Sequence, residues 1–369
     1  MKFVEVGDLK TGMRLARPIY NKSGVLLFER DSRLTVQIID NIKKFGLLGI
    51  YVLEPAEPLP PMSEEDLAFE QFQISQCFAI QDEMEKIIAT GKQSRLQSIV
   101  STIIKNYGHR DEKISFYQNL RSKDDYISRH ALNTAMLCAM IAHTMNVKVD
   151  QQTQSVMAAL LHDIGKQRVP AEVLFGKNTE ENEAIIYNEQ LQGLEIIENV
   201  EGAAMKRTCM QVLRAQHDFT FSGKVPSEMK MVSAAKILLV ANRYDELTAM
   251  DLQGRSKSEV RALYEFQEHP EFYDKGVVDA LIKSIHILFA GVSIELSTGE
   301  RALVLTANED DVLRPTVLTF KNNDIIDLSA KDNLDIRIVD IMKTLDNRYM
   351  MDNDTLERMR QGGGENAHN

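Results

Sequence analysis

The chain of 369 residues has no tryptophan, only three cysteines and no long apolar run. The cysteines, at positions 77, 138 and 209, are widely spaced and odd in number, so they form neither a CxxC motif nor a disulfide framework. This usage is typical of a reducing compartment, and we expect a cytoplasmic location. The polar start Met1–Asp8 predicts no signal peptide, and no apolar stretch is long enough to span a bilayer.

Basic residues are in deficit, since 43 Lys and Arg against 54 Asp and Glu give a formal charge of -11. A chain this acidic is unsuited to general binding of nucleic acid or anionic membranes, although local lysines and arginines can still bind a small anion. Hydrophobic residues make up 44% of the chain, which is enough for a sizeable core. The length allows two or three domains.

One run of the sequence predicts a metal site: residues 160–166 read Leu-Leu-His-Asp-Ile-Gly-Lys. Small apolar residues precede it, so His162 and Asp163 should emerge from a buried helix as adjacent polar side chains. Such burial is costly unless the groups are paired or bind a metal, and both are good ligands for first-row metals. Lys166 shares the helix face of His162 and can neutralise an anionic oxygen there. We favour this interpretation over a satisfied core histidine at a helix end.

Two further histidines can complete the site. His130 opens a helical pattern rich in alanine and methionine, and His217 lies at the end of another helical pattern. A lone histidine in either place is usually structural, but three helices that each offer one near an end are more typical of a metal cluster. The remaining histidines lack such a setting, and we expect them at the surface or in packing: His109, His143, His269, His286 and His368.

With these motifs the chain resembles the HD-GYP family, bacterial phosphodiesterases of the HD superfamily that hydrolyse cyclic di-GMP. Besides His130 and the His-Asp box, the resemblance includes Asp8–Tyr20, Ala241–Thr248 and Val292–Glu300. It implies a mainly α fold, in which an HD-superfamily helical bundle carries a small N-terminal α+β module and a small C-terminal β appendage. It also implies a divalent transition metal (iron, manganese or zinc), cyclic di-GMP as ligand, and protein partners in bacterial signalling.

The chain departs from the family pattern at several functional positions. Lys224-Val225-Pro226 stands in place of the Gly-Tyr-Pro that names the family. The other replacements are Glu189 for a histidine, Gln216-His217-Asp218 for His-His-Glu, Asn242 for a metal-binding aspartate and Asp251 for an arginine. A bridged pair of metals about 3.5–4 Å apart needs anionic ligands to offset the repulsion between the cations. We therefore expect one metal or none per chain, with His130, His162 and Asp163 as ligands, joined by Glu189 or His217.

The resemblance also assigns roles in catalysis and substrate binding. Asp163 and Lys166 are the predicted catalytic residues, with Lys166 stabilising developing negative charge beside the metal. Lys166 and Lys224 are the predicted substrate contacts. Three functions stay open at this point: a metal-dependent phosphodiesterase with a degraded site and little or no activity, an inactive cyclic di-GMP receptor, and a scaffold for protein interactions. Metal content separates the first from the third, and ligand binding without turnover identifies the second.

Changes in composition divide the chain into segments. The segments are a regulatory α+β module over residues 1–54, a proline-rich semi-rigid linker over 55–62, a helical domain over 63–290, a β-rich appendage over 291–345, and a tail over 346–369 whose end is predicted to be disordered. Apolar stripes between residues 63 and 107 predict that this region packs on the helical core. They are equally compatible with a homodimer interface.

Overall fold

The computed structural model describes residues 2–20, 25–45, 47, 49–53, 64–116, 118, 121–222, 230–249 and 257–341. Helices predominate in these residues, and small sheets lie towards both ends of the chain, which confirms the predicted fold class. The predictions for the linker, for the tail and for Lys224 fall outside the described residues. No helix among those described is long and apolar enough to cross a membrane.

The N-terminal module is a small α+β unit with its own apolar cluster. Its elements are β1 (Lys2–Glu5), a 3-10 turn (Val6–Asp8), β2 (Arg14–Leu15), β3 (Ile19–Tyr20), β4 (Leu26–Phe28), α1 (Val36–Lys44) and β5 (Gly49–Leu53). The antiparallel three-stranded sheet has the order β1-β5-β2, and β3 pairs with β4. Leu15, Leu34, Ile42 and Ile50 form the centre of the cluster. Thr35 caps the start of α1, because its hydroxyl accepts a hydrogen bond from the Ile38 N–H.

A bundle of helices forms the main body of the protein. Its helices are α2 (Glu64–Thr90), α3 (Leu96–Tyr107), α4 (Tyr126–Thr144), α5 (Val149–Leu161), α6 (Ala171–Leu174), α7 (Glu180–Glu201), α8 (Ala203–Ser222), α9 (Ser233–Thr248), α10 (Glu259–Glu268) and α11 (Lys275–Ser284). The central helix α4 is buried along most of its length and packs against α5, α9 and α11. Alanines at 131, 135, 139 and 142 are fully buried, and their small side chains let neighbouring helices approach α4 closely.

Two helices extend this bundle from the region between residues 63 and 107. α2 packs on α4, and α3 packs on α4 and α5. Glu83 of α2 joins the two helices, because its buried carboxylate accepts hydrogen bonds from the Ser94, Arg95 and Leu96 N–H groups at the start of α3. The region therefore packs on its own chain, while the homodimer interface stays a prediction.

A contact between two glycines fixes the turn that follows α5. This 3-10 turn, Ile164–Arg168, packs against α7. A Cβ atom at Gly193 would lie 2.7 Å from the Gly165 nitrogen, and one at Gly165 would lie 2.7 Å from Cα of Gln190. Only residues without a side chain allow this approach, which brings α7 against the end of the His-Asp motif.

The C-terminal appendage is an antiparallel sheet. Its elements are β6 (Ser293–Leu296), β7 (Arg301–Thr306), β8 (Thr316–Thr319), β9 (Ile325–Asp327), a 3-10 turn (Lys331–Asn333) and β10 (Ile338–Ile341). The strand order is β10-β6-β7-β8-β9. Its buried residues Ile294, Val304 and Val317 belong to the same apolar cluster as the helices. The sheet is therefore packed on the bundle.

Candidate metal centre

Side chains from three helices meet at one buried point. His130 lies near the start of α4, Asn242 lies on α9, and His162 and Asp163 directly follow the end of α5. Asp163 has φ -104° and ψ 13°, outside the helical region, and it leads into the turn Ile164–Arg168. The chain leaves the helix at this point, so adjacent residues can turn toward the same centre.

Four side-chain atoms converge at distances typical of a metal-ligand set. The Nε2 atoms of His130 and His162 are 3.3 Å apart, and Asp163 Oδ2 lies 3.6 and 3.7 Å from them. Asn242 Oδ1 lies 2.7 Å from the first and 2.9 Å from the second. His130, His162 and Asp163 are the one group of three or more candidate ligands among the described residues.

The outer hydrogen bonds of these side chains leave lone pairs at the centre. His130 Nδ1 is 2.6 Å from Asp245 Oδ2, and His162 Nδ1 is 2.8 Å from the Ala159 carbonyl oxygen. An ionised carboxylate and a carbonyl only accept, so each Nδ1 carries the proton, and each Nε2 of a neutral ring has a lone pair. Asn242 Nδ2 donates to Glu246 Oε1 at 3.1 Å, which turns Oδ1 toward the imidazoles.

Four acceptors that face one another repel unless a cation lies between them. Protonation of the rings would be an alternative, but burial lowers the pKa of His162, and the Lys166 ammonium lowers it further against the opposing effect of Asp163. Nitrogen and oxygen donors of this kind suit zinc, iron or manganese. The residues present therefore fit a divalent transition metal.

Asp163 is held as an anion by two neighbours. Lys166 Nζ donates to its Oδ2 at 2.6 Å, and Gln190 Nε2 donates to its Oδ1 at 2.9 Å. Burial alone would raise the pKa of Asp163, but the adjacent Lys166 ammonium outweighs it and holds the pKa well below its ordinary value. Burial likewise opposes the charge of Lys166, and Asp163 outweighs this and raises the Lys166 pKa.

A fully buried network orients His130 from behind. Asp245 accepts from His130 through Oδ2, and its Oδ1 accepts from Arg121 Nη2 at 2.7 Å and from Asn133 Nδ2 at 2.9 Å. Burial would raise the pKa of Asp245, but the Arg121 guanidinium and the His130 hydrogen bond hold it well below its ordinary value. An ionised carboxylate behind a ligating imidazole fixes the tautomer and increases its basicity.

Two residues predicted as ligands lie outside this cluster. The Glu189 carboxylate pairs with Arg168 Nε at 3.3 Å, and its neighbour Gln190 contacts Asp163 instead. The ring of His217 stacks on Tyr187, with centroids 3.9 Å apart and planes 27° apart, and it also contacts Phe221. Neither side chain therefore joins the convergent atoms in this structure.

Sequence reasoning missed the groups that hold the ligands in place. Asp245 lies in the segment that resembles the family, but nothing in the pattern points its carboxylate at His130. Arg121 and Asn133 have no motif of their own, since their partners lie more than 100 residues away in the sequence. Gln190 follows Glu189, the residue that the sequence predicted as a ligand. Only the packing of α7 decides which of the two contacts Asp163.

A cavity of about 480 Å³ adjoins the metal centre. Lys166 and Glu246 border it on the side of the centre, and Arg243 and Gln190 add polar groups. Part of its wall carries rings, which belong to Tyr187, His217, Phe219, Phe221, Phe272 and Tyr273. We call these six residues the aromatic wall.

Comparison with known proteins agrees with this geometry. Residues 115–277, which include all four convergent side chains, match the family described as HD domain. A cyclic di-GMP phosphodiesterase of Pseudomonas aeruginosa is 22% identical over 206 residues, which cover 54% of this chain and 49% of that relative. The chain thus spans about half the length of the relative it matches. The HD-domain resemblance seen in the sequence is confirmed for residues 115–277, and the similarity to the phosphodiesterase supports the HD-GYP type.

Proposed function

We propose that this protein holds one divalent transition metal, binds cyclic di-GMP in the adjoining cavity, and hydrolyses it slowly or not at all. The metal ligands are His130, His162, Asp163 and Asn242. The observation that carries the proposal is the convergence of four acceptor atoms at one point, while the other candidate ligands point elsewhere.

The charge of the ligand set supports one metal rather than two. Asp163 is the only carboxylate among the four ligands, and Asn242 offers a neutral oxygen. A second cation about 3.5–4 Å away would need further anions. Glu189 is paired with Arg168 and His217 is stacked on Tyr187, so each would have to give up its present contact to serve that cation.

The cavity supports a nucleotide ligand. Bases stack on aromatic side chains with a gain of about 1–3 kcal/mol per base, and the aromatic wall offers such faces. Lys166 and Arg243 can contact phosphate oxygens, although Lys166 already pairs with Asp163, and Arg243 with Glu246 and Glu265. The name of the Pseudomonas relative, a cyclic di-GMP phosphodiesterase, favours cyclic di-GMP among nucleotides.

The chemistry follows from these groups. A metal at this site would polarise a phosphoryl oxygen and lower the pKa of a bound water. The Lys166 ammonium, held 2.6 Å from Asp163, would stabilise negative charge that develops on the phosphate. With a single metal the leaving oxygen lacks a second cation, and we therefore expect slow turnover. A receptor that binds without turnover and an interaction scaffold stay as alternatives.

Metal analysis of protein purified without chelators tests the proposal. We expect about one iron, manganese or zinc per chain after dialysis, binding of cyclic di-GMP by calorimetry, and little linear product by chromatography. His162→Ala should lower the metal content, whereas His109→Ala, outside the cluster, should not. Two metals per chain would contradict the single metal, and fast turnover that His162→Ala abolishes would contradict the degraded activity. Absence of metal with intact ligand binding would favour the receptor.

The cysteines bear on the environment of the protein. Cys77, Cys138 and Cys209 are free and buried, and burial raises the pKa of the Cys209 thiol to about 12. Free thiols are typical of a reducing compartment. The cytoplasmic location, the signalling partners and the lack of nucleic-acid binding stay predictions.

A further inference from the structure

The N-terminal module touches the helical domain beside the residues that orient the metal centre. Arg17 Nη1 donates to the Gln118 carbonyl oxygen at 3.2 Å, and Leu47 forms an antiparallel bridge with Ser122. Arg17 is itself held in its module, since its guanidinium lies 5.4 Å from the centroid of the Tyr51 ring. The contacted residues, Gln118 and Ser122, lie on either side of Arg121 in the sequence.

The side chain of Gln118 shares its hydrogen-bond donors with Asp245. Gln118 Oε1 accepts from Arg121 Nη2 and from Asn133 Nδ2, each at 3.1 Å. The same two nitrogens donate to Asp245 Oδ1 at 2.7 and 2.9 Å. Asp245 in turn binds His130 Nδ1. A shift of Gln118 therefore changes how strongly these donors hold Asp245.

Burial makes this chain of contacts sensitive to displacement. Arg121, Asn133 and Asp245 are each 0% exposed, so water cannot easily replace a lost partner. An unpaired buried polar or charged group is costly. A movement at Gln118 would therefore change the hydrogen bonds of Asp245 rather than be absorbed by solvent.

We propose that Arg17 is a positioning residue for the metal centre: by binding the Gln118 carbonyl, the N-terminal module keeps Asp245 and His130 in the arrangement that binds metal. Metal affinity then depends on a residue outside the segment that matches the HD domain. Any signal that displaces the module would weaken the site. The inference rests on the metal site proposed above.

Titration of the full-length, metal-free protein with Co²⁺ tests it, because the visible absorption of Co²⁺ reports both affinity and ligand geometry. We expect Arg17→Ala to weaken Co²⁺ binding about five-fold, less than the about 10–100-fold typical of direct outer-shell partners. Arg17→Lys keeps one donor and should recover part of the loss. Arg14→Ala is the matched control, since Arg14 pairs with Asp31 inside the module and should bind Co²⁺ like the parent protein.

A second variant distinguishes a shared network from a general loss of stability. Gln118→Ala removes the side-chain contacts to Arg121 and Asn133. If Arg17 acts through Gln118, the effects of Arg17→Ala and Gln118→Ala on Co²⁺ affinity will be less than additive in the double variant. Thermal unfolding without metal records stability separately. If Arg17→Ala does not fold, Arg17→Lys and Gln118→Ala decide with the same titration.

The outcomes separate the two proposals. If the parent protein binds no Co²⁺, the metal site fails and this inference fails with it. If the parent binds Co²⁺ and Arg17→Ala matches Arg14→Ala, or the two effects add in full, the role of Arg17 is overturned and the metal site stands. Linkage is reciprocal, so Co²⁺ should also slow amide hydrogen exchange in residues 14–20, and unchanged exchange would count against the inference.

Discussion

The proposed metal centre and the aromatic wall both contain histidine. The histidines of the metal centre face other ligand atoms, whereas His217 of the wall stacks on a neighbouring ring. His162 is buried, and its Nδ1 is bound by the Ala159 carbonyl, so Nε2 faces His130, Asp163 and Asn242. His217 is about one-third exposed and lies flat on Tyr187. A histidine becomes a ligand where its other nitrogen is fixed and its free nitrogen meets other donors. Sequence position near a helix end is not enough.

The residues that surround the two regions also differ. The metal centre lies among α4, α5 and α9, where Arg121 and Asp245 are fully buried. The aromatic wall is built on α7 and α8 and on residues 272 and 273, and its rings contact one another edge-on or stacked. Fixed hydrogen bonds suit a metal, whereas aromatic faces suit a flat organic ring.

The largest expected effect separates the two histidines. His162→Ala should weaken metal binding by more than about 100-fold, since loss of a ligand exceeds the loss of an outer-shell partner. His217→Ala should leave metal affinity unchanged. Calorimetric titration of metal-free protein with Mn²⁺ or Zn²⁺ measures both. An equal loss in the two variants would erase the distinction and assign His217 to the metal centre.

The next largest effect is expected when the negative charge of the ligand set is increased. Asn242→Asp should tighten metal binding about ten-fold, equivalent to about 1.4 kcal/mol, because a carboxylate replaces a neutral oxygen. The same change removes the amide that donates to Glu246, and the metal-free variant should therefore unfold at a lower temperature. Adding Gln216→His should raise metal occupancy further. Weaker binding in Asn242→Asp would show that Asn242 is not a ligand.

The aromatic wall is tested by ligand binding. Tyr187→Ala should weaken binding of cyclic di-GMP about ten-fold, in keeping with about 1–3 kcal/mol for one stacked base, and should leave the metal content unchanged. Phe320→Ala, at an exposed ring of the C-terminal sheet, is the control. Unchanged affinity in Tyr187→Ala would remove the stacking role, and a fall in metal content would show that the two regions are coupled.

The smallest expected effect is on the free energy of unfolding, from a change at the junction of α2 and α3. Burial raises the pKa of Glu83, but hydrogen bonds from Ser94, Arg95 and Leu96 outweigh it and lower the pKa. The carboxylate therefore stabilises the fold above its unfolded pKa of about 4.3, and this contribution is lost as pH falls through the lower folded value. Glu83→Gln should cost about 1 kcal/mol at pH 7 and less at pH 3.

Urea unfolding at the two pH values measures the loss at Glu83. Glu85→Gln, at an exposed position of the same helix, controls for the loss of one negative charge on α2. Neither the metal content nor the affinity for cyclic di-GMP should respond to Glu83→Gln. A difference between Glu83→Gln and the parent that persists unchanged at pH 3 would contradict the role of the ionised carboxylate.

The sequence predicted the fold class and the position of His162 and Asp163 at the end of a buried helix, because both follow from local pattern. The apolar lead-in to His162 and Asp163 predicts a buried helix end, and that is where α5 ends. The sequence was less informative about which residues of the other helices contact His162 and Asp163. Neighbouring positions on a helix point about 100° apart, so the packing of Gly165 on Gly193 decides that Gln190, and not Glu189, contacts Asp163.

The sequence by itself determined that the chain is mainly helical and carries a buried His-Asp pair, since hydrophobic periodicity and a short motif are properties of neighbouring residues. The tertiary structure decided that His217 stacks on Tyr187, that Asn242 points toward two imidazoles, and that Arg121 is buried against Asp245. These depend on contacts between residues as far apart as 124 positions. The physical reason is that a lone pair acquires its role from the groups that surround it, and only packing of distant helices brings those groups together.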